Sequence, residues 1–407
     1  LDPYTTYIPE SEIEDFRFMT TGQYGGIGAI ITKRKDFVYI SEPYEGYPAQ
    51  KSGLMAGDKI LEINGQSAKN KTTEEVSKIL KGQPNTSVTL LIERANLHKP
   101  LKVNFLREKI SLKSVPYSGY VNKDIGYIRL RSFTKGCAKE IKSAILDLQS
   151  QGNLKGLILD LRNNPGGLLN ESVNIVNLFV PQGEEIVSTK GKIKSWEKSY
   201  LANNKPFDTN LPLVVLINSA SASASEIVSG AIQDLDRGVV LGQRSYGKGL
   251  VQQTRKLSYN TQLKMTVAKY YIPSGRCIQA LDYSNRNDDG SVGKIADSLV
   301  TLFTTKNGRE VFDGGGIQPD IVTDKPKASN VVLSLFRERL FFDYATTFRF
   351  KHDSIPNDFI ISEDNYKEFI NYLSDKQYDY KTKTEEMLSK LEDKAKEERY
   401  FNVLTGE

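Results

Sequence analysis

Hydrophobic and polar positions divide the chain into three stretches with different rhythms. Between residues 24 and 107 the apolar runs are short and broken. GIGAIIT and VYISEP read as strands, PAQKSGLMAGD as a small-residue turn, and KILEING as a further strand. TTEEVSKILKG carries a helical repeat behind a threonine cap, and SVTLLIER closes the stretch as a last strand. From about Ser114 to Asp324 the runs lengthen. IGYIRLRS is a strand, KGCAKEIKSAILDLQSQG an amphipathic helix ending at Gly152, and KGLILDLR a fully apolar strand. NNPGG then leads into the helix LLNESVNIVNLFV. LPLVVLIN, a turn of serines and alanines, the helix SEIVSGAIQDL and the strand GVVLG follow. Strands alternating with helices of this length predict right-handed crossovers and a mainly parallel sheet. From about Ala328 the chain reads as helical and highly charged. The expected fold class is therefore α/β, with a mainly parallel-sheet core, a small β-rich domain and a helical carboxyl-terminal region.

Composition changes this picture little. At 407 residues, two to four domains are expected. With 39% hydrophobic and 26% charged residues the chain reads as a folded soluble protein, and no apolar run is long enough to cross a bilayer. The opening LDPYTTYIP is polar and is not a signal peptide. It reads as the start of a trimmed chain, so export stays open. The net charge of +5 is spread over 55 basic and 50 acidic residues, a solvated surface with no basic block interleaved with aromatics. That speaks against a nucleic-acid partner. Cys137 and Cys277 are too few and too distant for a disulfide framework or a zinc knuckle, and are expected as buried free thiols. His98 in LHKP and His352 in FKHDS read as surface residues. Hydrolytic chemistry must then do without histidine.

The serine–alanine turn NSASASASEI is the first candidate for chemistry. It follows a buried strand and opens a helix with Ile227, Val228, Ala231, Ile232 and Leu235 on one side. A serine there faces unpaired N–H groups and the positive end of the helix dipole. A serine-rich loop with a helix cap accounts for the segment equally well. Lys248 in SYGKGLVQ lies one helix and one strand later, which returns it to the same edge of the sheet. To act as a base it must be neutral, which requires its pKa to fall from about 10.4 to roughly 7–8. Burial without a carboxylate partner supplies such a shift. NNPGGLL ends another strand of the same sheet. The N–H groups of Gly167 and Ala224 are candidates for an oxyanion hole, although a plain glycine turn also explains the first. The stretch from Gly242 to Lys248 matches the phosphate-loop spacing, but Gly249 stands where a Ser or Thr must ligate magnesium. LVQQTRKL beyond it has no helical stripe, so the nucleotide reading fails.

SASASEI, YGKGLVQ and LRNNPGG, in this order and spacing, resemble the carboxyl-terminal processing peptidases, serine–lysine proteases of bacterial envelopes and thylakoid lumens. The resemblance extends through YYIPSGRCIQ and GGGIQPDI and covers roughly residues 1–325. It implies that Ser223, rather than Ser221 or Ser225, is the nucleophile, and that Lys248 is its base with Gln252 orienting it. Gly167 and Ala224 are then the oxyanion donors. No metal, nucleotide or other cofactor is implied. YGGIG and PAQKSGLMAGDKILEINGQ look like the PDZ domain inserted in this family, in which Gly26, Ile27 and Gly28 would cradle a peptide carboxylate. KGQPNTSV departs from the family, with Pro84-Asn85 where a GxxGT step is usual. Arg94 is either a solvated strand-end arginine or a reporter of peptide occupancy.

The expected organisation is a segment 1–23 packing on the core, a PDZ domain over 24–108, a protease core over 109–327 and a helical region over 328–407. In the last, Met387, Leu391 and Ala395 share one stripe, expected to pack on the core or, alternatively, to join a homo-oligomer. The implied function is a serine endopeptidase acting on proteins or peptides with free carboxyl termini, in a bacterial periplasm. The alternative is a non-catalytic PDZ scaffold on a protease-like fold.

Overall fold

The computed structural model describes residues 2–289, 291–325, 327–352, 354–356 and 359–398. Two compact units emerge, one of Leu1–Tyr24 with Lys109–Lys325 and one of Gly25–Glu108 with Pro326–Glu407. Among the described residues no helix is long and apolar enough to cross a membrane.

Strand β1 (Thr6–Ile8) opens the first unit. The second unit begins with an antiparallel sheet of β2 (Ala29–Arg34), β3 (Phe37–Pro43), β4 (Lys59–Ile63), β5 (Ser87–Glu93) and β6 (Leu101–Leu106), in that order. Helix α1 (Thr73–Leu80) lies between β4 and β5 in the chain. Its start is fixed reciprocally: the Glu75 N–H donates to the Thr72 hydroxyl and the Thr72 N–H to the Glu75 carboxylate. Val38, Ile60, Leu90 and Val76 form the core of this domain. At the departure from the family pattern, Asn85 takes φ 67° and its N–H donates to the Arg107 carbonyl. Asparagine tolerates this left-handed region, so the turn survives without the usual glycine. Arg94 is not solvated. Its guanidinium makes two 2.7 Å hydrogen bonds to the buried Asp58 carboxylate and a third to the Gly53 carbonyl.

The first unit resumes with β7 (Tyr117–Tyr120) and β8 (Ile125–Arg129), then α2 (Cys137–Gln151), β9 (Gly156–Asp160) and α3 (Leu169–Asn177). A hairpin of β10 (Glu185–Gly191) and β11 (Lys198–Leu201) follows. Next come β12 (Leu213–Ile217), α4 (Ala224–Asp234) and β13 (Val239–Gly242). Strands β14 (Leu250–Lys256), β15 (Gln262–Tyr271) and β16 (Ile321–Val322) complete the unit. The central sheet has the order β7-β8-β9-β12-β13-β16, parallel from β8 onward with β7 antiparallel at its edge. Leu159 and Val215 from its strands pack in one core with Ile141, Ile175 and Val228 from the three helices. That is why GLILD and LVVLI are nearly continuous apolar runs rather than alternating ones.

A second, antiparallel sheet was not anticipated from the sequence. It runs β1-β15-β10-β11, with β14 also paired to β15. Cys137 is buried and Cys277 half-buried, both as free thiols.

The chain ends in α5 (Asn330–Arg337), α6 (Leu340–Lys351), α7 (Glu363–Leu373) and α8 (Lys383–Glu397). Leu335, Leu340 and Leu373 form their small shared core. The expected stripe is only partly covered: Ala395 is buried, but Met387 and Leu391 are 71% and 53% exposed. A helix this rich in charge has few apolar positions to bury, and packing on a core does not describe α8.

Candidate active site

Three connections leave the carboxyl ends of parallel strands, after β9 at Asp160, β12 at Ile217 and β13 at Gly242. Ligand sites of open α/β sheets form at this edge. The loops after β9 and β12 are tied by two asparagines. The Asn163 N–H donates to the Asn218 side chain, and the Asn218 amide donates back to Asn163, both at 2.9 Å. Asp160 anchors the first loop. Its buried carboxylate accepts from the Tyr127 hydroxyl at 2.6 Å and from the Arg162 guanidinium at 2.8 and 3.0 Å. Burial pushes that carboxyl up, yet Arg162 and Tyr127 outweigh it and hold it below the usual range.

The three serines of the second loop have different environments. The Ser221 hydroxyl donates to the Leu161 carbonyl and accepts from the Asn218 N–H, fully buried. The Ser225 hydroxyl, equally buried, donates to the Asn164 carbonyl. Ser223 is half-buried and has φ 56° and ψ −113°, a region costly for any residue with a Cβ. Gly166 lies against it: a Cβ there would stand 2.9 Å from both the Ser223 Cβ and the Ala224 nitrogen. Gly167, with φ 151°, lies as closely against Phe133. The Gly166 carbonyl and the Leu168 N–H both pair with Phe133, so the chain on either side of Gly167 is fixed.

Glu226 joins this turn to the loop after β13, and its role was not foreseen. Fully buried, it accepts four hydrogen bonds. One carboxylate oxygen takes the Ser223 N–H at 2.7 Å and the Lys248 N–H at 2.9 Å; the other takes the Ser245 hydroxyl at 2.5 Å and the Gly247 N–H at 2.7 Å. Burial raises its pKa against the pull of these donors. The Tyr270 hydroxyl adds a second tie, donating between the carbonyls of Lys248 at 2.6 Å and Ser223 at 3.2 Å. Gly247, with φ 87°, has no room for a Cβ against Ala280.

The Lys248 amine is half-buried and lies 4.2 Å from the centre of the Tyr4 ring. Among the described hydrogen bonds none joins it to the Ser223 hydroxyl. Burial, aided by the positive charge of Lys264, pushes its pKa down to about 8, with Glu226 and Asp2 opposing the shift. Gln252 is not bonded to Lys248 either. Its amide donates to the Thr266 hydroxyl at 3.1 Å, which donates to Asp2 at 3.0 Å. The segment Asp2–Tyr4 therefore borders the site, a contribution sequence reasoning missed.

In the other unit, the loop expected to take a carboxylate has Gly26 and Ile27 buried and Gly28 at φ 72°. The Ile27 and Gly28 carbonyls accept from the N–H groups of Ala49 and Tyr44, both at 2.8 Å. Strand β2 beyond it is the edge of its sheet.

Comparisons with known proteins agree across the chain. Residues 124–284 match peptidase family S41, residues 39–94 a PDZ domain, and residues 331–407 the probable PDZ-protease C-terminal helical domain. The carboxy-terminal-processing protease of Bartonella bacilliformis is 39% identical over 284 residues, covering 69% of this chain and 65% of that protein. A probable CtpA-like serine protease of Staphylococcus aureus is 34% identical over 327 residues, covering 80% of this chain and 58% of that protein. The chain thus spans just under two thirds of the first relative and less of the second. Among solved structures, the photosystem II D1 C-terminal processing protease is 28% identical with a TM-score of 0.43, covering 79% of this chain and 78% of that one.

Proposed function

Because the chain belongs to the carboxyl-terminal processing peptidases of family S41, we propose that it is a serine endopeptidase working through a Ser223–Lys248 dyad on proteins that present a free carboxyl-terminal tail. The observation that carries this reading is the Glu226 carboxylate oxygen shared by the N–H groups of Ser223 and Lys248. Two residues that are 25 positions apart in the chain are thereby held at one point. A Lys248 pKa of about 8 falls where a lysine base operates near neutral pH.

In this reading the Ser223 oxygen forms a bond to the peptide carbonyl carbon as its proton passes to the Lys248 amine. The carbonyl oxygen becomes an oxyanion facing the Gly167 and Ala224 N–H groups, each donor being worth about 10²–10³ in rate. Its collapse breaks the C–N bond, and Lys248 returns the proton to the leaving amine. Water then repeats the cycle on the acyl-enzyme. Gln252 orients the lysine once the chain is bound. The Gly26–Gly28 loop receives the terminal carboxylate, and the tail pairs as an added strand along β2. An envelope location is the setting that the family resemblance implies.

The test is cleavage of an unstructured, tailed protein. Ser223→Ala and Lys248→Ala should each reduce turnover at least ~10³-fold while thermal unfolding stays near that of the parent. Undiminished turnover in either variant sinks the dyad. Tail binding without turnover in the parent protein would favour the non-catalytic scaffold instead.

A further inference from the structure

The antiparallel sheet beside the dyad carries positive charge that no ion pair among the described residues cancels. Four lysines lie within residues 185–201, and Arg255, Lys256, Lys264 and Lys269 within residues 250–271. Against these eight cations stand only Glu185 and Glu197, a net of +6 in two short stretches, whereas the whole chain has +5. The rest of the molecule is close to neutral, so the excess belongs to this sheet and to the β10–β11 connection, which holds Lys192 and Lys194.

Among the described residues none of the eight makes an ion pair. Lys190 on β10 stands directly opposite Lys269 on β15, and both are exposed. Like charges facing each other across a strand pair destabilise it. Three of the cations rest on aromatic faces: Lys190 on Tyr271 at 4.8 Å, Lys198 on Tyr200 at 4.6 Å and Arg255 on Trp196 at 5.3 Å. Such contacts hold the side chains in place and leave their charge uncancelled. The sheet is also continuous with the site. β14 starts two residues after Lys248 and contains Gln252, and Tyr270 of β15 holds the carbonyls of Ser223 and Lys248.

From this arrangement we propose that the sheet of β10, β11, β14 and β15 is a substrate-docking surface for polypeptide segments rich in aspartate and glutamate. The assignment rests on reading Ser223 and Lys248 as a peptidase site, and it narrows the substrate class. Electrostatic complementarity concentrates such segments at the sheet and speeds their encounter with it. Continuity with the dyad favours a substrate chain over an anionic membrane, which has no reason to sit at a nucleophile.

Binding to the whole chain carrying Ser223→Ala tests this without depending on turnover. Two fluorescent peptides share one carboxyl-terminal sequence and differ upstream only in Asp and Glu against Asn and Gln. At low salt the acidic peptide should bind about tenfold more tightly, and the advantage should vanish near 0.5 M salt. Lys190→Gln combined with Lys269→Gln should clearly reduce that advantage, leave the neutral peptide's affinity unchanged and not lower the thermal midpoint. Equal affinities at low salt would overturn the proposal, as would a preference untouched by the double variant. Binding of phosphatidylserine vesicles without discrimination between the peptides would assign the sheet to a lipid surface instead. Should the Ser223→Ala protein still cleave either peptide, the dyad fails while the affinity comparison keeps its meaning.

Discussion

A lysine accepts a proton only while its amine is uncharged, and with a pKa of about 8 roughly a tenth of Lys248 is neutral at pH 7. Activity is therefore expected to rise with pH through about 8 and to level off above it. Lys264 repels the Lys248 charge, so removing that repulsion makes the ammonium easier to keep. Lys264→Gln should displace the acid limb of kcat/KM to higher pH. A limb near 10.5 in the parent, or one unmoved by the substitution, would refute this electrostatic account. Sequence alone supplies the residue types but not these surroundings. The S-x-x-E spacing of Ser223 and Glu226 is legible as a helix-capping box. That the same carboxylate also binds Gly247 and Lys248 depends on a return of the chain that no local pattern encodes. Tyr4 and Asp2 are harder still, because they lie 244 and 264 positions from Lys248 and Thr266.

Strands buried on both faces and the short alternating strands of the small β domain were legible, and the lysine-bearing strands of the second sheet were not. GLILD and LVVLI advertise themselves by unbroken apolarity and pair in parallel as expected. The strands over residues 185–201 and 250–271 mix lysines with apolar residues, and only tertiary pairing makes them a sheet. A further element-level tie is hidden among polar residues. Arg276, beyond the end of β15, is fully buried and donates to Asp234 at the end of α4, to Gln233 and to the Phe312 carbonyl. Asp234 also accepts the Ser274 N–H. Arg276→Leu leaves this buried carboxylate without its counter-charge, and a loss of about 3–5 kcal/mol is expected. Denaturant unfolding measures it, and a loss under ~1 kcal/mol would show that Asp234 is satisfied without the arginine.

At the scale of the whole molecule, the mixed α/β character with a small β domain and terminal helices was readable from the rhythm of the sequence. The grouping of Gly25–Glu108 with Pro326–Glu407 in one compact unit was not, because sequence order separates what the fold unites. Global stability also bears the cost of one backbone conformation. The dihedral angles of Ser223, φ 56° and ψ −113°, mirror an ordinary extended residue and suit only glycine without strain. Strain of this kind typically costs about 1–3 kcal/mol. Ser223→Gly should abolish turnover yet raise the melting temperature by a few degrees, whereas Ser223→Ala should not, since alanine retains the offending Cβ. If the two inactive variants melt together, the turn is not strained. If they part as expected, the chain gives up durability to keep the Ser223 side chain erect, and the glycine form would outlast the parent protein.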